Sequence, residues 1–176
     1  MNIIGKLIII GGAVDKGSFT ETDLDKNSAS NLNFFETGIL KRIISESKHK
    51  ENSRIEVVTT ASNIPKEIGP EYVKAFSYLD AKNIDVLYIE KREEAADPAV
   101  LTRLKAADIV IFTGGDQLRL TSILGGTPFH DILLDKYHNE EFVYAGTSAG
   151  AAAASNSMIY QGSSSEALLK GEVRIT

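Results

Sequence analysis

The sequence predicts an α/β fold, a mostly parallel sheet with helices on both faces. Three observations predict it. Five short, nearly continuous apolar runs are spread along the 176 residues, and strands buried on both faces read that way. Segments with helical spacing fill the gaps, so strand and helix alternate. Three of the runs end in small residues, at Gly11-Gly12, Gly114-Gly115 and Thr147-Ser148. Right-handed crossovers bring all strand ends of one kind to one sheet edge, where open α/β sheets bind ligands.

The elements follow in order. Lys6–Ile10 (KLIII) is the first strand. The polar stretch from Ser18 to Asn33 has no period and reads as loop or short turns. Asn33–Ser47 reads as one helix, with Phe34, Phe35, Ile39, Ile43 and Ile44 near one face. Arg54–Thr60, rich in β-branched residues, is the second strand. Tyr72–Asp80 is a helix carrying Tyr72, Val73, Phe76 and Leu79, and Ile84–Ile89 is the third strand. Pro98–Lys105 starts on a proline suited to a helix start. Asp108–Thr113 is the fourth strand. Gln117–Leu124 and Pro128–Tyr137 are short helices, and Phe142–Gly146 is the fifth strand. Gly171–Thr176 looks like the start of one more element.

Composition narrows the function. Apolar residues make up 43% and charged residues 24%, values of a globular rather than a disordered chain, and the length suits a single α/β domain over residues 1–176. There is no cysteine. That excludes a disulfide scaffold, a cysteine nucleophile and a thiolate metal site. No apolar stretch approaches the roughly 18 residues that span a bilayer, and the first strand is too short for a signal-peptide core, so a cytoplasmic location with no membrane partner is expected. Lys and Arg number 19 against 24 Asp and Glu, a net charge of −5. With no basic stripe, nucleic acid is not an expected partner. The negative balance favours a cationic one.

The strongest chemical motif is Gly146-Thr-Ser148-Ala-Gly150 at the exit of the fifth strand. It has the Gly-x-Ser-x-Gly pattern of a nucleophile elbow, in which a sharp strand-to-helix turn pushes the serine into the open. Side chains two residues to either side would collide, and the helix start behind the serine offers free N–H groups to a developing oxyanion. A tight turn that merely needs small residues, or a phosphate site at a helix start, fits the same pattern. Phe112-Thr-Gly114-Gly115-Asp116-Gln117 supplies a second glycine pair. Its Gly115 or Asp116 amide is a candidate oxyanion donor beside that of Ala149; a plain strand-ending turn is the alternative. Gly11-Gly12-Ala13 lacks the spacing of a dinucleotide loop and reads as a structural turn.

A serine nucleophile needs a base. His49 lies in the charged run Lys48-His49-Lys50 and is expected in solvent. His138 is expected at the far end of the sheet, and His130 is nearer the catalytic edge. No cofactor is called for, and a three-histidine metal site would require scattered residues to converge.

Together Gly11-Gly12-Ala13, the run from Phe112 to Thr121 and Gly146-Thr-Ser-Ala-Gly-Ala151 resemble the cyanophycinase family of serine peptidases. The resemblance spans the chain from the first strand to about Gly162. It implies a three-layer α/β/α sandwich of flavodoxin-like, class I glutamine amidotransferase-like type. It also implies Ser148 as nucleophile, Glu166 as the acidic member, Gly115, Asp116 and Ala149 as oxyanion-hole donors, and Gln117 and Arg119 beside the substrate cleft. The implied substrate is an arginine-bearing aspartyl polymer, cleaved through an acyl-enzyme to β-aspartyl-arginine; related enzymes act on short aspartyl peptides. Family members continue further and carry their base histidine there. The expectation is therefore an N-terminal portion of a peptidase domain, lacking its C-terminal part and that base. A second copy (a homodimer) or a complementary C-terminal segment is expected to cover the open sheet edge. A non-catalytic binding domain on the same scaffold is the other expectation.

Overall fold

The computed structural model describes residues 3–17, 34–161 and 174–175. Strands β1 (Lys6–Ile10), β2 (Arg54–Val58), β3 (Asn83–Leu87), β4 (Ile109–Phe112) and β5 (Val143–Thr147) form one sheet. Their order is β1-β5-β4-β2-β3, and every pairing is parallel. Helices α1 (Ile39–Glu46) and α2 (Pro65–Tyr78) cover one face. Helices α3 (Pro98–Ala106), α4 (Gln117–Leu124), α5 (Pro128–Asn139) and the short α6 (Ala149–Ala152) cover the other. The chain moves one way across the sheet through β1, β2 and β3, then returns through β4 and β5. Right-handed crossovers therefore switch faces after β3.

The continuous apolar runs are explained by this layering. Side chains alternate along a strand, so Ile109 and Ile111 enter the core under α1 and α2 while Val110 and Phe112 enter the core under α3, α4 and α5. Glu56 interrupts the run of β2 and is fully buried. It accepts from Arg103 Nη2 at 2.5 Å and Arg54 Nε at 3.0 Å, so its charge is paired inside.

Four expectations need correction. The single helix over 33–47 is interrupted before Gly38, which caps α1 in extended conformation at φ −63°, ψ 150°. Glycine is a poor helix former, and the amphipathic face starts cleanly after it. The helix expected to begin at Tyr72 begins at Pro65 and runs through Pro70. A proline normally pushes the residue before it out of the helical region. Here that residue is Gly69, packed against Val86 and Tyr88, and it has no Cβ to collide. The strand β1 is not buried on both faces. It is the sheet edge, with Leu7 45% and Ile9 52% exposed. Finally, 3-10 turns at Lys50–Asn52 and Arg92–Ala96 lie where the sequence signalled no element.

Beyond α6, β6 (Ile159–Gln161) pairs antiparallel with β7 (Arg174–Ile175). Among the described residues no helix is long and apolar enough to cross a membrane.

Candidate active site

The strand ends β1, β4 and β5 converge at Ser148. The amide of Ser148 donates to Ile10 O at 3.0 Å, tying the turn to β1. Thr147 Oγ1 donates to Gly12 O at 2.5 Å, fastening the same turn to the loop after β1. Ser148 itself is exposed, with φ 50° and ψ −107°. Such angles are rare for a side-chain-bearing residue and cost roughly 1–3 kcal/mol. The surrounding packing holds them. A Cβ on Gly146 would fall 2.3 Å from Gly150 O, and one on Gly150 would fall 2.5 Å from Phe112 O. The two glycines flanking the serine are thus fixed by close approach, as the elbow reading requires.

The second glycine pair lies between the serine turn and the loop after β2. A Cβ on Gly114 would sit 3.3 Å from Ser148 Cβ. Gly115 has φ +144°, and a Cβ there would fall 2.0 Å from Ala61 O, so no other residue fits. Among the described residues no acceptor takes the amide of Gly115 or of Ala149. The Asp116 amide is different: it donates to Ala61 O at 2.8 Å and is not free for an oxyanion. The Asp116 carboxylate caps α4 instead, accepting from the amides of Leu118 at 2.8 Å and Arg119 at 3.1 Å. Aspartate fills such a cap role well.

Gln117 is the first residue of α4, directly after the cap. Arg119 Nε donates to Thr60 O at 2.9 Å, linking α4 to the loop after β2. Glu166 lies outside the described residues. None of the three histidines hydrogen-bonds to Ser148. His49 Nδ1 lies 3.0 Å from Asp108 Oδ1, at the amino end of β4 and so at the opposite sheet edge. His138 Nδ1 donates to Leu134 O at 2.7 Å, and its carbonyl accepts from Ile4, before β1. His130 Nδ1 accepts from the Gly126 amide at 3.4 Å and faces a separate groove.

A cleft of about 460 Å³ opens beside the serine. Gly12, Gly114 and Ser148 border it, and Thr113, Tyr72 and Lys16 line it further. Sequence reasoning missed these last three. Thr113 ends the fourth run, at the ligand-binding edge, which was the available signal. Its hydroxyl is buried, with no partner among the described residues. Burial pushes the Tyr72 hydroxyl up to about 12, helped by the neighbouring Glu71 carboxylate, so it stays protonated at neutral pH. Lys16 pairs with Glu71 at 2.5 Å and sits over the Tyr72 ring.

The chain matches peptidase family S51 over residues 27–170. The chain belongs to that family. Over 112 residues it is 38% identical to the cyanophycinases of Trichormus variabilis and Nostoc sp., a match covering 64% of this chain and 38% of each relative. The cyanophycinase of Synechococcus elongatus is 34% identical over 113 residues, covering 64% of this chain and 35% of that relative. The chain thus matches well under half the length of these curated relatives. The crystal structure of a peptidase from an acI-B1 Actinobacterium superposes with a TM-score of 0.61 at 24% identity, over 68% of this chain and 51% of that one. A putative peptidase E protein from Listeria monocytogenes gives 0.51 at 22%, over 65% and 55%. At that identity both likenesses show the fold and nothing finer.

Proposed function

We propose that the chain forms the nucleophile half of a serine-type peptidase site. The observation that carries this reading is the exposed, strained Ser148 with Gly114 packed against it; the next amide after each, at Ala149 and Gly115, has no acceptor among the described residues. Ser148 Oγ attacks a peptide carbonyl, and its proton passes to a base. The carbonyl oxygen becomes an oxyanion that the two amides receive. The amine leaves with the proton from the base, and water then hydrolyses the acyl-enzyme. Asp116 supports this arrangement from below by capping α4 and holding Gly115 against Ala61.

None of His49, His130 and His138 serves as the base, which is a histidine that longer members of the family carry beyond the matched stretch, with Glu166 as the acidic member. Gln117 and Arg119 stand on α4 beside the residues that line the cleft, and act on the substrate from its rim. The substrate is an arginine-bearing aspartyl polymer, released as β-aspartyl-arginine; the name of the curated relatives supports that class. A second reading, short aspartyl peptides, is favoured by Lys16, the cation in the cleft lining. Relative turnover of the polymer and of aspartyl dipeptides separates the two. Labelling of Ser148 by a serine-reactive phosphonate, lost in Ser148→Ala, tests the nucleophile. A full-length form that takes up no label is a binding domain instead.

A further inference from the structure

We infer that the cleft beside Ser148 holds a carboxylate subsite, formed by the Lys16 ammonium and the hydroxyls of Tyr72 and Thr113. Phe112 pairs with Gly146 in the ladder, so Thr113 and Thr147, one residue on, stand side by side at the carboxyl edge of the sheet. Both line the cleft. Thr147 spends its hydroxyl on Gly12 O. Thr113 is 1% exposed, and its hydroxyl has no partner among the described residues. A buried hydroxyl left unpaired is costly, so this one calls for an acceptor that enters from the cleft. The hydroxyls of Thr59 and Thr60 are unpaired as well, but neither residue lines the cleft.

The charge of the lining selects the acceptor. Among the described residues Lys16 is the one ionic side chain that lines this cleft, and no aspartate or glutamate does. Lys16 Nζ pairs with Glu71 at 2.5 Å and stands 5.3 Å from the centre of the Tyr72 ring. Glu71 is half exposed and lines the neighbouring hollow. An ammonium has three N–H donors, so this contact orients Lys16 and leaves donors for a ligand. Burial keeps the Tyr72 hydroxyl protonated at neutral pH, ready to donate. All three groups can donate, and none is negative, so a guanidinium finds no counter-charge here. One cation, already shared with Glu71, suits a singly charged acceptor. The net charge of −5 works against a more highly charged one. A carboxylate meets both conditions. An aspartyl peptide carries one, and β-aspartyl-arginine carries one on its arginine, whose guanidinium then lies outside this cleft. That role in a substrate rests on the peptidase reading; the binding of a carboxylate does not.

Succinamate and succinamide differ only in a carboxylate against an amide. Each is titrated into the whole chain, and the backbone amides of Lys16, Thr113 and Gly114 are followed by heteronuclear NMR. Succinamate is expected to shift them and to bind about tenfold more tightly than succinamide, the scale of one charge-assisted hydrogen bond. Lys16→Met is expected to abolish that preference and Lys16→Arg to keep most of it. Tyr72→Phe and Thr113→Val are each expected to weaken succinamate about threefold or more with succinamide unchanged, a split that loosened packing alone does not produce. Thr113→Ser, which keeps the hydroxyl, is expected to bind as the parent does. No shift with succinamate, equal affinity for the two compounds, or a preference that survives Lys16→Met overturns the inference. So does inorganic phosphate that binds as tightly as succinamate, since it reveals an unselective anion site. A carboxylate preference without phosphonate labelling of Ser148 sinks the peptidase reading and leaves the subsite standing. Labelling without the preference does the reverse.

Discussion

A Cβ placed on Gly146 would lie 2.3 Å from the carbonyl oxygen of Gly150. That oxygen also accepts the Tyr144 hydroxyl at 2.7 Å, so it has no room to retreat. Gly146→Ala and Gly150→Ala are each expected to cost several kcal/mol, the scale of overpacking against backbone. Thermal unfolding by circular dichroism checks this, and a melting temperature unchanged in either variant refutes the tight-turn geometry.

Ser148 combines φ 50° with ψ −107°. Ser148→Gly is expected to raise stability by up to about 1 kcal/mol, because glycine adopts such angles freely and its unfolded-state entropy offsets only part of the gain. Ser148→Ala keeps the strain and is expected within about 0.5 kcal/mol of the parent, while phosphonate labelling disappears. Urea titrations of the two variants, side by side, measure the difference.

Glu56 has no exposed surface and depends on Arg103 and Arg54 for its charge. Arg103→Ala is expected to destabilise by about 3–5 kcal/mol, since it strands a buried carboxylate. The double replacement Glu56→Val with Arg103→Met is expected to recover most of that loss. A double variant no more stable than Arg103→Ala contradicts the pairing.

Alkaline stability follows from two buried tyrosines. In the unfolded chain a tyrosine releases its proton near pH 10. Burial, aided by Glu71, holds the Tyr72 proton to about 12, and burial alone pushes Tyr144 up as well. Above about pH 10 the folded chain then binds more protons than the unfolded one, so stability falls as pH rises. The contribution is whole below pH 10 and is lost through 12. Urea midpoints are expected to be flat up to about pH 10 and to drop beyond it, less so in Tyr72→Phe.

Much of the fold was legible because its signals are local. Five apolar runs and their glycine exits are consequences of a parallel sheet covered on both sides, and Gly146 and Gly150 reveal the turn between them. Long-range facts were not legible. Nothing in KLIII tells an edge strand from a central one; only the partner order does. Gly69 before Pro70 was a local sign that the proline could sit within a helix, but its close packing on Val86 and Tyr88 was not legible. Asp116 shows how the site was half read. Its place after two glycines was read as an oxyanion loop or a plain strand-ending turn, and its amide's bond to Ala61 O and its carboxylate's cap on α4 belong to neither reading.

The pose of Ser148 is set by main-chain angles and by its amide's bond to Ile10, and its own hydroxyl caps no helix amide. The bend is thus indifferent to the atom it carries. Sulfur, or a methyl group with no reactivity at all, would stand at the same height above the sheet. Descendants of such a chain can lose their chemistry in one codon and keep their shape, and can regain it as cheaply.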